Sequence, residues 1–109
     1  IKIMVNRGYG LTPYIVKHID MIMGESVYST YNFKTDAFFK IPSGMYLDQV
    51  NQLKQAKALN PNLKIFTLDY WNPEDTAQIR QIYKIQRRHG FIPYVSTVDL
   101  QMVVPEPTK

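Results

Sequence analysis

The chain alternates four short apolar segments with three stretches of helical spacing, and this alternation restricts the fold more than any other feature. Residues 1–6 (IKIMVN), 21–25 (MIMGE), 64–69 (KIFTLD) and 91–96 (FIPYVS) read as strands, since short apolar runs bounded by polar or turn-forming residues suit a buried or half-buried sheet. Residues 11–19 form the first helical stretch, with Thr12 before Pro13 as cap and first helical residue. Residues 46–59 place Leu47, Val50 and Leu53 three apart and stop at Asn60-Pro61. In the third stretch Asn72 is positioned to cap and Pro73 suits the first turn. Glu74 and Asp75 meet the positive end of the dipole, and Gly90 closes the helix after Arg87, Arg88 and His89. Ile79, Ile82 and Tyr83 form its inward stripe. The order βαβ, a loop, then αβαβ predicts an α/β fold with parallel strands and crossover helices.

Side chains two apart on a strand share a face. Each strand has one face that ends in a polar residue: Lys2-Met4-Asn6, Met21-Met23-Glu25, Ile65-Thr67-Asp69 and Ile92-Tyr94-Ser96. The other faces, Ile1-Ile3-Val5, Ile22-Gly24, Phe66-Leu68 and Pro93-Val95, are apolar and suited to packing under helices. Parallel strands bring their C-terminal ends together, so Asn6, Glu25, Asp69 and Ser96 are expected at one mouth, with Arg7, Tyr70 and Trp71 just beyond. Ligands bind at that end of the sheet in open α/β folds and in (β/α)8 barrels. Four strands in 109 residues amount to half of a barrel of roughly 250. A half-barrel is completed either by the rest of the barrel preceding Ile1 or by pairing of two copies. The expected architecture is the first, the C-terminal half of a (β/α)8 TIM-like barrel, strands five to eight. A free-standing open α/β sandwich, acting as a small binding or interaction module, is the structural alternative.

Composition narrows the function classes. A net charge of +4 is mild, and the one dense basic cluster, Arg80, Lys84, Arg87 and Arg88, reads as the solvated face of the third helix. A nucleic-acid partner calls for a larger basic footprint and a recognisable module. No stretch has the roughly 18 apolar residues of a membrane span. Zero cysteines exclude disulfides and thiolate metal sites. His18 and His89 lack metal-ligand spacing and read as surface or partly packed side chains, so neither a metal nor a cofactor is expected. The GYG at residues 8–10 reads as a turn, and there is no G-x-S-x-G, P-loop or G-x-G-x-x-G.

Residues 26–44 are long for a strand-to-helix connection, and Tyr28, Tyr31, Phe33, Phe38 and Phe39 make the segment ring-rich. Two readings stand: a hydrophobic cluster covering the mouth, or a lid whose rings stack on sugars. Glu25 could pair with Arg7, and Asp69 could cap backbone N–H groups in the turn toward Asn72. Together, two carboxylates at adjacent strand tips also fit glycosidic chemistry, in which one donates a proton to the leaving oxygen and the other acts as base or nucleophile.

The segments NRGYG, MIMGESVYSTYNFKT, LDYWNPEDTAQIRQIYKIQRRHGF and IPYVSTVDL resemble the C-terminal half of the endo-alpha-1,4-polygalactosaminidase-like glycoside hydrolases. These are TIM-barrel proteins formerly labelled as related to cysteinyl-tRNA synthetase. The resemblance spans nearly the whole chain in the same order and spacing. It implies hydrolysis of a galactosamine-containing polysaccharide by two acidic residues, outside the cell or in its envelope. One of these is the glutamate at the sixth strand tip, which matches Glu25. The other is an aspartate on the fourth strand, ahead of Ile1, so the chain by itself is expected to be inactive. Asp69 matches a seventh-strand "DY" that orients substrate or the catalytic acid. Tyr70, Asn6 and Tyr94 match cleft positions, and Arg7, Tyr28 and Ser96 complete the expected substrate-binding set. A barrel that binds polysaccharide without cleaving it, on Tyr28, Tyr31, Trp71 and Tyr94, is the alternative.

Overall fold

A computed structural model describes residues 1–108 of the chain. Four parallel strands, β1 (Met4–Asn6), β2 (Met21–Glu25), β5 (Lys64–Tyr70) and β6 (Ile92–Ser96), form one sheet in that spatial order. A short helix α1 (Thr12–Ile15), continued by a 3-10 turn (Val16–His18), links β1 to β2. Helix α2 (Ser43–Leu59) leads into β5, and α3 (Thr76–Arg88) joins β5 to β6. Strand order follows chain order, and the core helix residues pack against one sheet face. Parallel crossovers share one hand, so a sheet that never reverses direction keeps its helices on one side, as in a barrel wall and unlike a doubly wound sheet.

The helix-side core is continuous with the strands. Ile22 and Ile65 pack with Val50, Leu53 and Ala56 of α2 and with Val16 and Ile19, while Val95 packs with Ile79, Ile82 and Tyr83 of α3. Leu47, expected on the inward stripe of α2, is 51% exposed; the buried stripe runs Val50-Leu53-Ala56. Helix α3 begins later than its expected cap, Asn72. Asp75 accepts from the Gln78 amide at 3.2 Å and is the N-cap, whereas Asn72 makes a separate turn by accepting from the Glu74 amide at 3.0 Å. Gly90, at φ +82°, closes the far end in the left-handed conformation expected of it.

Asn60 ends α2 and ties it to the first crossover, donating to the Val16 and Ile19 carbonyl oxygens at 2.9 and 3.2 Å. Asn60→Ala removes both bonds and is expected to cost about 1 kcal/mol, read as a lowered midpoint in urea with an unchanged slope.

The ring-rich segment is not an irregular loop. Ser29–Asn32 (β3) and Ala37–Lys40 (β4) pair antiparallel as a hairpin. Its turn is built by Asn32, whose side chain accepts from the Lys34 and Thr35 amides, and by Asp36 at φ +54°.

The sheet's other face carries no helix and is only partly covered: Leu68, Tyr70 and Ser96 are buried, while Met4 and Ile92 on the edge strands are exposed. Met4, Met23, Phe66, Leu68, Ile92 and Tyr94 border a hollow of about 460 Å³ there. Lys2 and Met4, expected to be buried on an inward face, are exposed because β1 is an edge strand in this chain.

Candidate functional site

The register decides which side chains meet. Asn6 pairs with Met23, Glu25 with Leu68, and Tyr70 with Ser96, so Asn6, Glu25, Tyr70, Tyr94 and Ser96 share the open face. Asp69 pairs with Val95 and lies on the helix side. The expected convergence of Asn6, Glu25 and Ser96 on one face is present; that of Asp69 with them is not. Phe66 and Leu68, expected under the helices, face the open side instead. Strand β5 runs one residue further than its sequence suggests and ends on Tyr70, which takes the place assigned to Asp69.

Glu25 stands at the C-terminal tip of β2, between strands that each direct a donor at it. The Asn6 amide donates to Oε1 at 3.2 Å from β1, and the Tyr70 hydroxyl donates to Oε2 at 2.5 Å from β5. These bonds stabilise the charged form, so the Glu25 carboxyl is held below the usual range, chiefly by Tyr70, then by Asn6, with Arg7 adding a favourable charge. Arg7 makes no ion pair with it; among the described residues the one ion pair is Arg87 with Glu106 on the far surface. The Tyr70 hydroxyl is pushed up by burial and by its bond to Glu25, which keeps it a donor. Tyr70→Phe is expected to move the Glu25 titration upward toward the ordinary glutamate range, as read by carboxyl carbon chemical shift.

Two backbone residues at the rim are in the left-handed region without being glycine. Arg7 (φ 56°) and Ser26 (φ 55°) directly follow Asn6 and Glu25. Their amides extend the parallel ladder, Arg7 N–H to the Met23 carbonyl and Ser26 N–H to the Leu68 carbonyl, both at 2.7 Å. Beneath, the Gln49 amide donates to the Ser26 carbonyl at 3.1 Å and accepts from the Tyr9 hydroxyl at 2.7 Å.

The other expected site residues are distributed as follows. Tyr94 lines the open hollow, and its hydroxyl accepts from the Val104 amide at 3.0 Å. Ser96 is 1% exposed and its hydroxyl has no partner. Tyr28 turns away from the mouth: its ring meets Tyr46 edge-on at 5.4 Å and packs on the core of α3 and β6. The reason is local, because the Tyr28 amide is bonded to Asp69 behind the sheet. Asp69 therefore does cap backbone N–H groups, though those of Tyr28 and Ser29 and not the turn toward Asn72.

Sequence reasoning named the hairpin rings and Trp71 as candidate stacking surfaces but missed the row they form. Phe33, Tyr31, Phe38 and Trp71 follow one another with centroid separations of 5.0, 5.0 and 6.0 Å, running from the hairpin tip to the end of β5. The alternation of Tyr31 with Phe33 was its available signal. Among the described residues no group of three or more His, Cys, Asp or Glu side chains could hold a metal, and no helix is long and apolar enough to cross a membrane.

Neither a protein-family model nor a curated protein sequence matches the chain. Solved structures do. The glycoside hydrolase domain of PelA from Pseudomonas aeruginosa superposes with a TM-score of 0.83 at 21% identity, over 100% of this chain and 42% of that one. A glutamate-to-alanine variant of the same domain gives 0.83 at 20% identity over the same shares. The chain has the fold of part of a glycoside hydrolase domain. The whole chain is matched, and it spans 42% of the length of those structures.

Proposed function

We propose that the chain is the C-terminal half of a glycoside hydrolase barrel, strands five to eight, in which Glu25 is one of two catalytic carboxylates. The second comes from a strand outside this chain, since Asp69 faces the other way. The observation that carries this reading is the pair of donors, Asn6 and Tyr70, brought by both flanking strands to the two oxygens of a strand-tip glutamate. The apolar face that carries no helix and the two open sheet edges supply the surface on which the other barrel strands would close.

Cleavage of a glycosidic bond needs one carboxyl group to protonate the leaving oxygen and one carboxylate to attack the anomeric carbon or activate water. With its two donors Glu25 is ionised, which suits the nucleophile or base. A second carboxylate brought close would raise its pKa by like-charge repulsion and allow it the acid/base role. The substrate is a galactosamine-containing polysaccharide, by the resemblance of the strand-tip segments, and the protein works outside the cell or in its envelope, where such polymers lie. Asn6, Tyr70 and Tyr94 line the cleft and Arg7 stands at its edge. New reducing ends, released from a galactosaminan by the whole protein, test the reading; bound polymer with no release sinks it.

That second outcome would match a barrel that binds polysaccharide without cleaving it. The row of rings from Phe33 to Trp71 favours this second reading, because aromatic faces stack on sugars without any chemistry.

A further inference from the structure

The residue that the mouth lacks has a different place in the molecule. Asp69 is 0% exposed. Its Oδ1 accepts from the Tyr28 and Ser29 amides at 2.7 and 3.0 Å, and its Oδ2 accepts from the Gln86 side-chain amide of α3 at 2.9 Å. A carboxylate this deep is costly unless paired or fully hydrogen-bonded, and no cation contacts it. Three donors converge on it, and two belong to the loop that leaves Glu25.

We propose that Asp69 is a positioning residue that sets Glu25 from behind the sheet. Asp69 and Tyr70 are consecutive on β5 and so point to opposite faces. Tyr70 holds the Glu25 carboxylate on the open side, while Asp69 fixes the backbone three and four residues beyond Glu25 on the helix side. Between the two grips lie Ser26 and Val27. Ser26 is itself fixed through its amide to Leu68 and its carbonyl to Gln49, and Val27 is 0% exposed. The exit path of the chain from Glu25 is thereby determined residue by residue, which is how a side chain that must meet a substrate within a fraction of an ångström is held. The inference takes Glu25 as the reacting carboxylate, and its test reads Glu25 directly.

The Gln86 Oε1 atom is buried without a partner. An asparagine at position 69 would keep its oxygen on the two backbone amides and turn its NH2 toward α3, where Gln86 need only rotate its amide to present that free oxygen. Burial pushes the Asp69 carboxyl up, against its hydrogen bonds, and the same rotation would accommodate the neutral acid. Alanine has no such recourse.

The experiment is the titration of the Glu25 carboxyl carbon by NMR in the whole protein, with kinetics on a galactosaminan alongside. In Asp69→Asn the lowered Glu25 titration should persist. In Asp69→Ala it should rise toward the ordinary range, and kcat should fall by roughly 100-fold with KM little changed, as for a misplaced reacting group. A folded Asp69→Ala protein with an unmoved Glu25 titration overturns the proposal, as would equal shifts in both variants. Should Asp69→Ala fail to fold, amide exchange in the unaltered protein decides: Tyr28 and Ser29 exchanging as fast as Phe33 at the hairpin tip would overturn it, and strong protection would support it. Absent turnover in every form defeats the glycosidase reading, while the titration still decides the positioning role of Asp69.

Discussion

Glu25→Gln is expected to abolish hydrolysis of a galactosamine polymer by the protein that carries this chain, with the fold intact. Loss of a group that transfers a proton or attacks carbon lowers turnover by at least roughly 10²–10⁴-fold. Glutamine keeps the shape of glutamate and one acceptor oxygen, so either the Asn6 or the Tyr70 bond survives. The site is partly exposed, and water can serve the other donor. Reducing-end assays beside thermal melts check both halves of the statement, and turnover equal to that of the unaltered protein refutes the first. A pH signature accompanies the change. The folded-state pKa of Glu25 is lowered, so its ionisation contributes stability above the unfolded-state pKa, and that contribution is lost as pH falls through the folded value. The glutamine variant should lack this part of the acid sensitivity.

Gly24→Ala is expected to destabilise the protein by about 1–3 kcal/mol through overpacking and to depress activity with it. A Cβ at position 24 would stand 2.7 Å from Val27 Cγ2, 3.0 Å from Leu53 Cδ1 and 3.2 Å from the Tyr9 hydroxyl. Val27 and Leu53 are both 0% exposed and have nowhere to retreat. The backbone conformation of Gly24 is not the issue; the space is. Because Gly24 directly precedes Glu25, any shift that relieves the clash moves the carboxylate. Val27→Ala opens room, so the double variant Gly24→Ala/Val27→Ala should lose less stability than the sum of the single variants, as contacting residues do. Additive losses in urea melts would place the clash elsewhere.

The sheet was legible in the sequence because its signals were redundant. Each strand was short and apolar, each crossover carried helical spacing or caps, and their alternation left few topologies. Glu25 at a strand tip was legible for the same reason, since β2 has polar Glu25 at the end of an otherwise apolar run. The facing of β5 was not. Six of its seven residues, Ile65 to Tyr70, are buried or nearly so on both faces, and a strand covered on both sides loses the alternation that reveals its facing. A polar residue at its end then suggested a ligand where the actual partners were two loop amides and Gln86. The hairpin was hidden for a different reason: its turn contains no glycine and relies on the Asn32 side chain and on Asp36 in a conformation uncommon outside glycine. The start of α3 was misplaced at Asn72, with Asp75 assigned to the first turn, because both side chains cap backbone amides. Asn72 closes a turn of its own and Asp75 caps the helix.

The left-handed backbone at Arg7 and Ser26 has a bearing on descent. Each such residue outside glycine costs on the order of 1 kcal/mol or more, and glycine would remove that cost at once. Lineages that no longer need Asn6 and Glu25 held in place are free to drift to glycine at positions 7 and 26, while lineages under selection for the rim are expected to resist the change. Two letters in a sequence would then distinguish heirs that retain the chemistry from those that keep only the scaffold.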